Sequence, residues 1–259
     1  MINLYQYHND KNRLRQEIDS QKKSIKVPNF IPKNDKELVD TYQSCRVLDF
    51  YLIEYFKNNA KTKKLTEKQE EIVEIISLFK QEVWLGLSQE KEKFRKNIQN
   101  KKTGFKNIFE FSGSENLYLS NIYTRFISEN LGHKFENIAE ISDSIFIPEN
   151  TLNLKIKGID LVLYDGHNIR YTQLKTKKDT LTGSQSQRSI NELKIHQNPI
   201  FAAALDMGKS WTISKTKAQQ SGIQLLAGSE FWSLIGLDYG FILDQLSDAI
   251  KDIDKQLYR

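Results

Sequence analysis

Apolar positions along the chain fall into two textures. From Asp35 to Phe56, residues such as Leu38, Tyr42, Leu48, Leu52 and Phe56 recur at helical spacing. Thr66 opens a second helix with Glu67 in its first turn and Ile72, Ile76, Phe79 and Val83 on its apolar face. Gly86 is the only glycine before Gly104, and residues 1 to about 105 read as α-helical. After Gly104 the spacing changes. A helix is predicted from about Ser114 to Leu131, stopped by Gly132. Short β-rich runs follow at Ser144–Ile147, Leu152–Lys157, Ile159–Tyr164 and Ile169–Lys175. A polar stretch, Lys177–Gln187, leads into a helix near Arg188–Ile195, and Pro199–Leu205 reads as a buried strand. Trp211–Ser214 and Gln224–Ala227 are short strand candidates, and Glu230–Leu257 is mostly helical. This succession predicts an α/β class, specifically an α+β mixed sheet flanked by helices, over residues 106–259 behind a helical region at 1–105.

Composition narrows the classes. With 259 residues and 39% hydrophobic content the chain can bury a sizeable core. At 27% charged and 11% aromatic it is no disordered tail. A formal charge of +5 and a pI near 9.0 are compatible with a nucleic-acid partner without demanding one. Cys45 is the single cysteine, so no disulfide framework forms within the chain, and it is expected simply to pack. Met1–Arg15 lacks the apolar core of a signal peptide, and no stretch approaches the roughly 18 apolar residues of a membrane span. The expectation is a soluble, cytoplasmic protein with no membrane partner. His8, His133, His167 and His196 are scattered without zinc-ligand spacing, and Gly183-Ser-Gln-Ser lacks the lysine of a phosphate loop. The basic run Lys93–Lys106, which includes Lys101 and Lys102, is either a solvated linker or a phosphate-contacting strip.

The segment Gly158 to Lys175 carries the chemistry. Asp165-Gly-His-Asn168 between two β-branched runs is a hairpin signal. If Gly166-His167 form the turn, Asp165 faces Asn168, and the same register sets Asp160 across from Gln173. Side chains alternate along a strand, so Gln173 and Lys175 share a face while Leu174 points away. The hairpin then gathers an acid, an amide and an amine. With a divalent ion these make a phosphodiester-cutting site. Asp160 ligates the metal, Gln173 offers its side-chain oxygen, and the Leu174 carbonyl completes an oxygen shell suited to Mg2+. Lys175 orients or deprotonates the attacking water. The alternative is a surface hairpin with an ordinary Asp160–Lys175 cross-strand salt bridge. That alternative does not explain why Asp160 interrupts the apolar run Ile159–Leu163.

Gly158-Ile-Asp160, an apolar strand, a turn, and then Gln173-x-Lys175 resembles the catalytic hairpin of the PD-(D/E)XK nucleases. It is closest to the Asp…Gln-x-Lys variant found in Mrr-type and some type II restriction endonucleases, where an amide stands in place of the commoner acid. The resemblance covers about residues 105–259 and implies a restriction-endonuclease-like core. It also implies an acid on a preceding helix, a position Glu115 fits, since it shares a face with Leu119, Ile122 and Phe126. The alternative for Glu115 is a capping-box partner of Ser112 or a favourable first-turn charge. Ala227–Gly236, with Phe231 and Trp232, is similar to the closing segment of several restriction endonucleases and is expected to be structural. Lys177, Lys178, Thr182, Ser184, Gln185, Ser186, Gln187 and Arg188 adjoin the site and carry the chemistry that reads base edges and phosphates, or else form a polar loop and helix cap. The implied activity is Mg2+-dependent, site-specific cleavage of double-stranded DNA by a homodimer, as in a type II restriction endonuclease. A modification-dependent or repair nuclease, and a non-catalytic DNA-binding protein, remain open.

Overall fold

Asp35 starts the first long helix because its carboxylate accepts the Leu38 backbone N–H at 3.0 Å, ahead of the apolar run. The computed structural model of the chain describes residues 3–59, 63–100 and 104–257. A 3-10 turn at Leu4–Tyr7 precedes helices α1 (Lys11–Lys22), α2 (Lys36–Asn58) and α3 (Leu65–Asn100). Among the described residues no strand occurs before residue 145. Helix α3 runs on past the predicted apolar face because Leu87 and Phe94 continue it inward. Lys93 to Lys96 therefore belong to a helix, not a linker, while Lys101 and Lys102 lie outside the described residues.

Helices α4 (Ile108–Ser112) and α5 (Glu115–Glu140) follow. Gly132 does not end α5 as predicted. The buried residues Leu131, Phe135, Ile138 and Ala139 sustain the helical pattern beyond it, and one interior glycine costs only about 1 kcal/mol. Next come β1 (Ile145–Phe146) and α6 (Pro148–Leu152). The strand expected at Leu152–Lys157 is absent. Pro148 suits the first turn of a helix, Asn153 ends it at φ 50°, and Ile156 and Ile159 form only an isolated bridge. The chain continues through β2 (Leu161–Tyr164), β3 (Ile169–Lys177), α7 (Gly183–Leu193), β4 (Ile200–Leu205), α8 (Lys215–Gln220), β5 (Gln224–Ala227), α9 (Ser229–Leu234) and α10 (Tyr239–Leu257). Trp211–Ser214 forms no strand, because Ser214 caps α8 and Ile213 turns inward.

The five strands make one mixed sheet in the order β1-β2-β3-β4-β5. The first three are antiparallel to their neighbours, and β3, β4 and β5 are parallel. This is an α+β fold with a helix-flanked sheet. One core cluster joins Val162, Tyr171 and Phe201 of the sheet to Leu48 and Tyr51 of α2 and to Leu193 of α7. Helix α9 lies against β4 and β5, and the Trp232 indole N–H donates to the Ala204 carbonyl at 2.7 Å.

The change near residue 105 is one of secondary structure; compaction divides the chain elsewhere. Met1–Lys64 and Ala139–Tyr239 form one unit, which carries the whole sheet, and Leu65–Ile138 with Gly240–Arg259 form a helical second unit. The sheet unit holds 24 Lys and Arg against 18 Asp and Glu, a net +6, and the helical unit 14 against 15, a net −1. The positive charge of the chain is therefore concentrated in the unit that bears the hairpin.

Candidate active site

The hairpin turn fixes everything downstream of it. The Asp165 carboxylate accepts the backbone N–H groups of His167 at 3.0 Å and Asn168 at 2.8 Å, and Gly166 supplies the left-handed conformation at φ 92°. The register runs from Tyr164↔Ile169 to Leu161↔Thr172, as the sequence predicts. Burial alone would raise the Asp165 pKa, but the two backbone donors and Arg170 outweigh it and hold the group below the ordinary carboxylate value.

Past Leu161 the ladder gives way to a bend. The Asp160 N–H donates to the Thr172 carbonyl at 3.0 Å, and its carboxylate reaches over the strand end. There Oδ2 accepts the Leu174 N–H at 2.8 Å and faces the Lys175 ammonium at 3.5 Å. Asp160 and Lys175 are 25% and 24% exposed, so the pair opens to solvent. The N–H and C=O of a strand residue point to the same edge, so the Leu174 carbonyl also faces the side where β2 has ended. Gln173 is only 7% exposed, and among the described residues its Oε1 has no hydrogen-bond partner. An unsatisfied buried acceptor costs about 1–3 kcal/mol. Asp160 brings a carboxylate, Gln173 a buried amide oxygen and Leu174 a main-chain carbonyl to this part of the hairpin, and oxygen donors of these types are the ones Mg2+ prefers. The set is sparse in charge: among the described residues no three His, Cys, Asp or Glu side chains converge as a metal cluster.

Two supports of this bend carry no clear signal in the sequence. Gly158 sits at φ 74°, and a Cβ there would lie 2.6 Å from Glu192 Oε2 and 2.7 Å from its Cβ. Glu192 is buried, and Arg188 Nε donates to it at 2.7 Å. The i,i+4 spacing of Arg188 and Glu192 was the only available hint. On β3, two residues from Gln173, the Tyr171 hydroxyl shares its one proton between the Cys45 carbonyl at 2.7 Å and the Asp49 carboxylate at 2.8 Å, while Arg46 pairs with Asp49 at 3.0 Å. His196 packs on the Tyr171 ring at 4.5 Å with neither ring nitrogen partnered among the described residues; burial, then the nearby Arg46 charge, lower its pKa to about 3. This knot ties β3 to α2, and Cys45 is packed inside it as expected.

Glu115 lies in the helical unit and has partners there. Arg95 grips its carboxylate through Nε at 2.6 Å and an NH2 group at 2.8 Å, and Lys91 stands at 3.8 Å. The Arg95 hydrogen bonds hold its pKa below the ordinary value. The Ser112 hydroxyl is engaged with the Phe109 carbonyl and Ser114, not with Glu115. Of the polar segment, Lys177 pairs with Asp179 at 3.1 Å and Lys178 with Asp206 at 2.5 Å. The Gln185 amide oxygen accepts the Thr182 N–H at 2.8 Å, which spends that side chain on starting α7, and Ser186 turns inward. Ser184, Gln187 and Arg188 remain on the exposed face of α7. Gln187 Oε1 accepts from Lys217 of α8 at 3.0 Å.

No family model matches the chain, and no curated protein matches its sequence. Among the described residues no helix is long and apolar enough to cross a membrane.

Proposed function

We propose that the protein is a Mg2+-dependent deoxyribonuclease with a restriction-endonuclease-like core, hydrolysing phosphodiester bonds of double-stranded DNA at a short specific sequence. The observation that carries this reading is the Asp160 carboxylate folded over the end of β2, between the Leu174 N–H and the Lys175 ammonium, with a buried Gln173 oxygen, one residue before Leu174, that has no partner among the described residues. Asp160, Gln173 and the Leu174 carbonyl would hold Mg2+, which supplies positive charge opposite the scissile phosphate. The Lys175 ammonium orients the attacking water and offsets charge that develops on the phosphate oxygens. The Leu174 N–H and Lys175 fix the carboxylate so that its remaining oxygen is aimed before substrate arrives, and the bare Gly158 lets the turn before it close against Glu192. The +6 charge of the sheet unit draws a polyanion to the unit that carries this site. Exposed Ser184, Gln187 and Arg188 on α7, which directly follows β3, meet base edges or phosphates. Cutting a palindromic site on both strands calls for a homodimer.

The test is a Mg2+ digest of unmodified plasmid DNA with the cut ends sequenced, alongside Asp160→Asn and Lys175→Ala. Discrete fragments that both variants fail to produce support the reading. Cutting only of methylated DNA selects a modification-dependent nuclease. DNA binding without any cutting selects a non-catalytic DNA-binding protein.

A further inference from the structure

We infer that α1 is a phosphate-gripping element that lays a duplex DNA backbone alongside the Asp160 bend; this rests on the nuclease reading. Residues 11–26 hold six basic and two acidic side chains, a local net of +4. Two of the basic groups are already engaged: Arg13 with Glu17 at 3.2 Å, and Lys22 with Asp19 at 2.9 Å and Asp40 at 2.7 Å. Lys11, Arg15, Lys23 and Lys26 are exposed, and none has an acidic partner among the described residues. Lys11 and Arg15, at i and i+4, form one short stripe along the helix, and Lys23 stands at its C-terminal end. From Lys11 to Lys23 the helix rises about 18 Å, which matches the axial length of about five base pairs.

The apolar positions beside these cations, Leu14 and Ile18 at i+3 and i+7 from Lys11, are spoken for. Leu14 and Ile18 are fully buried in the same cluster as Leu152, Ile156 and Ile159, the residues that lead into Asp160. The Asp10 carboxylate caps the helix by accepting the Arg13 N–H at 2.9 Å, so the stripe is presented on a fixed element. With its apolar side spent on the core, α1 has no face to insert into a lipid interface, and what it offers outward is charge alone. Exposed cations without acidic partners among the described residues, carried on a helix packed with the segment that leads into Asp160, fit the regular charge of a duplex backbone. Their contacts are to phosphates, so they add affinity and orientation without reading sequence.

The test compares the full-length protein with Lys11→Gln/Arg15→Gln/Lys23→Gln and with a control, Lys96→Gln/Lys251→Gln/Lys255→Gln, on the helical unit. Binding of a fluorescent duplex is measured by anisotropy in Ca2+ across a salt series, with circular dichroism to check that α1 folds. The α1 variant is expected to lose about 0.9 from the log–log salt slope per contact removed, a total of about 2 to 3. Near 0.1 M salt its affinity falls by roughly fivefold to tenfold per contact, equally for unrelated sequences. A slope within one unit of the control overturns the proposal, as does equal loss in both variants or capture of anionic vesicles in place of the duplex. Cleavage in Mg2+ is scored separately. Wild-type cutting with an unchanged α1 slope sinks the α1 proposal alone, and α1-dependent binding without any cutting sinks the nuclease reading alone.

Discussion

Replacing Gln173 with methionine should make the metal-free protein more stable and nearly inactive. The side chain is 7% exposed and its Oε1 has no partner among the described residues, so the native state carries an unsatisfied acceptor worth about 1–3 kcal/mol. Methionine keeps the length and volume of glutamine and removes that acceptor, at a packing cost below about 1.5 kcal/mol for a volume-conserving swap. The expected net gain is therefore about 1 kcal/mol, which raises a urea midpoint by roughly 0.3–0.5 M for m of about 2–3 kcal/mol/M. In the same variant, DNA cleavage in Mg2+ should fall by about a hundredfold or more, the usual loss when a preorganised charge-stabilising group is removed. The assay is urea unfolding in chelator-treated buffer beside a plasmid digest. A variant destabilised by more than 1 kcal/mol would show that the amide oxygen is satisfied in solution. A variant that cuts normally would remove Gln173 from the site.

Asp160→Asn and Lys175→Ala should each lower cleavage by orders of magnitude with near-native circular dichroism, because the pair is a quarter exposed and contributes little to folding. Gly158→Ala should destabilise by about 2–4 kcal/mol in denaturant titration, combining left-handed strain of about 1–2 kcal/mol with the clash against Glu192; an unchanged midpoint refutes it. His196 has a folded pKa of about 3, below its unfolded value, so the unfolded chain binds the proton more readily. Stability is then complete above about pH 6.5 and falls as pH drops from there toward 3, by at most ~5 kcal/mol, and His196→Phe should abolish that component of acid sensitivity. Glu115→Gln should leave the magnesium concentration for half-maximal cutting unchanged if Arg95 and Lys91 are its working partners, and raise it if the acid serves the site.

Local signals in the sequence were legible where chemistry is local. Asp165-Gly-His-Asn168 specifies its turn through its own side chain and a glycine, and that turn fixes the register as far as Leu161↔Thr172. The meeting of Asp160 with Lys175 follows from that register. What the sequence left hidden depends on distant partners. Gly132 is a stop signal by propensity, yet the inward residues after it outweigh a cost of about 1 kcal/mol. Leu152–Lys157 looks β-rich, but Pro148 and Asn153 impose a helical turn and a left-handed cap. Glu115 sits on the apolar stripe of its own helix, and only the fold reveals Arg95 as its partner, 20 residues earlier in the chain. The boundary near 105 tracks secondary structure, whereas the compact units interleave segments that no composition shift marks.

A purely structural hairpin is the rival account of Asp160 and Lys175, and magnitudes bear on the choice between the two. At 3.5 Å and a quarter exposed, the ion pair contributes about 0–1 kcal/mol. The Leu174 N–H bond to the carboxylate adds about 1.5–3 kcal/mol, as a hydrogen bond to a charged group. That contribution needs only an acceptor at the strand end, and it gives no reason for a polar side chain at Gln173. The orphaned Gln173 oxygen then subtracts about 1–3 kcal/mol, and the left-handed Gly158 adds the backbone entropy that glycine carries. Summed as structure, the arrangement gains little or nothing over an apolar strand end such as Leu161 and Leu163 would provide. Local polar choices that conflict with the packing around them are the ones expected at functional sites. An oxygen-seeking cation and a phosphate would satisfy the amide oxygen and the ammonium at once, and that shared solution is the physical reason to place the chemistry here.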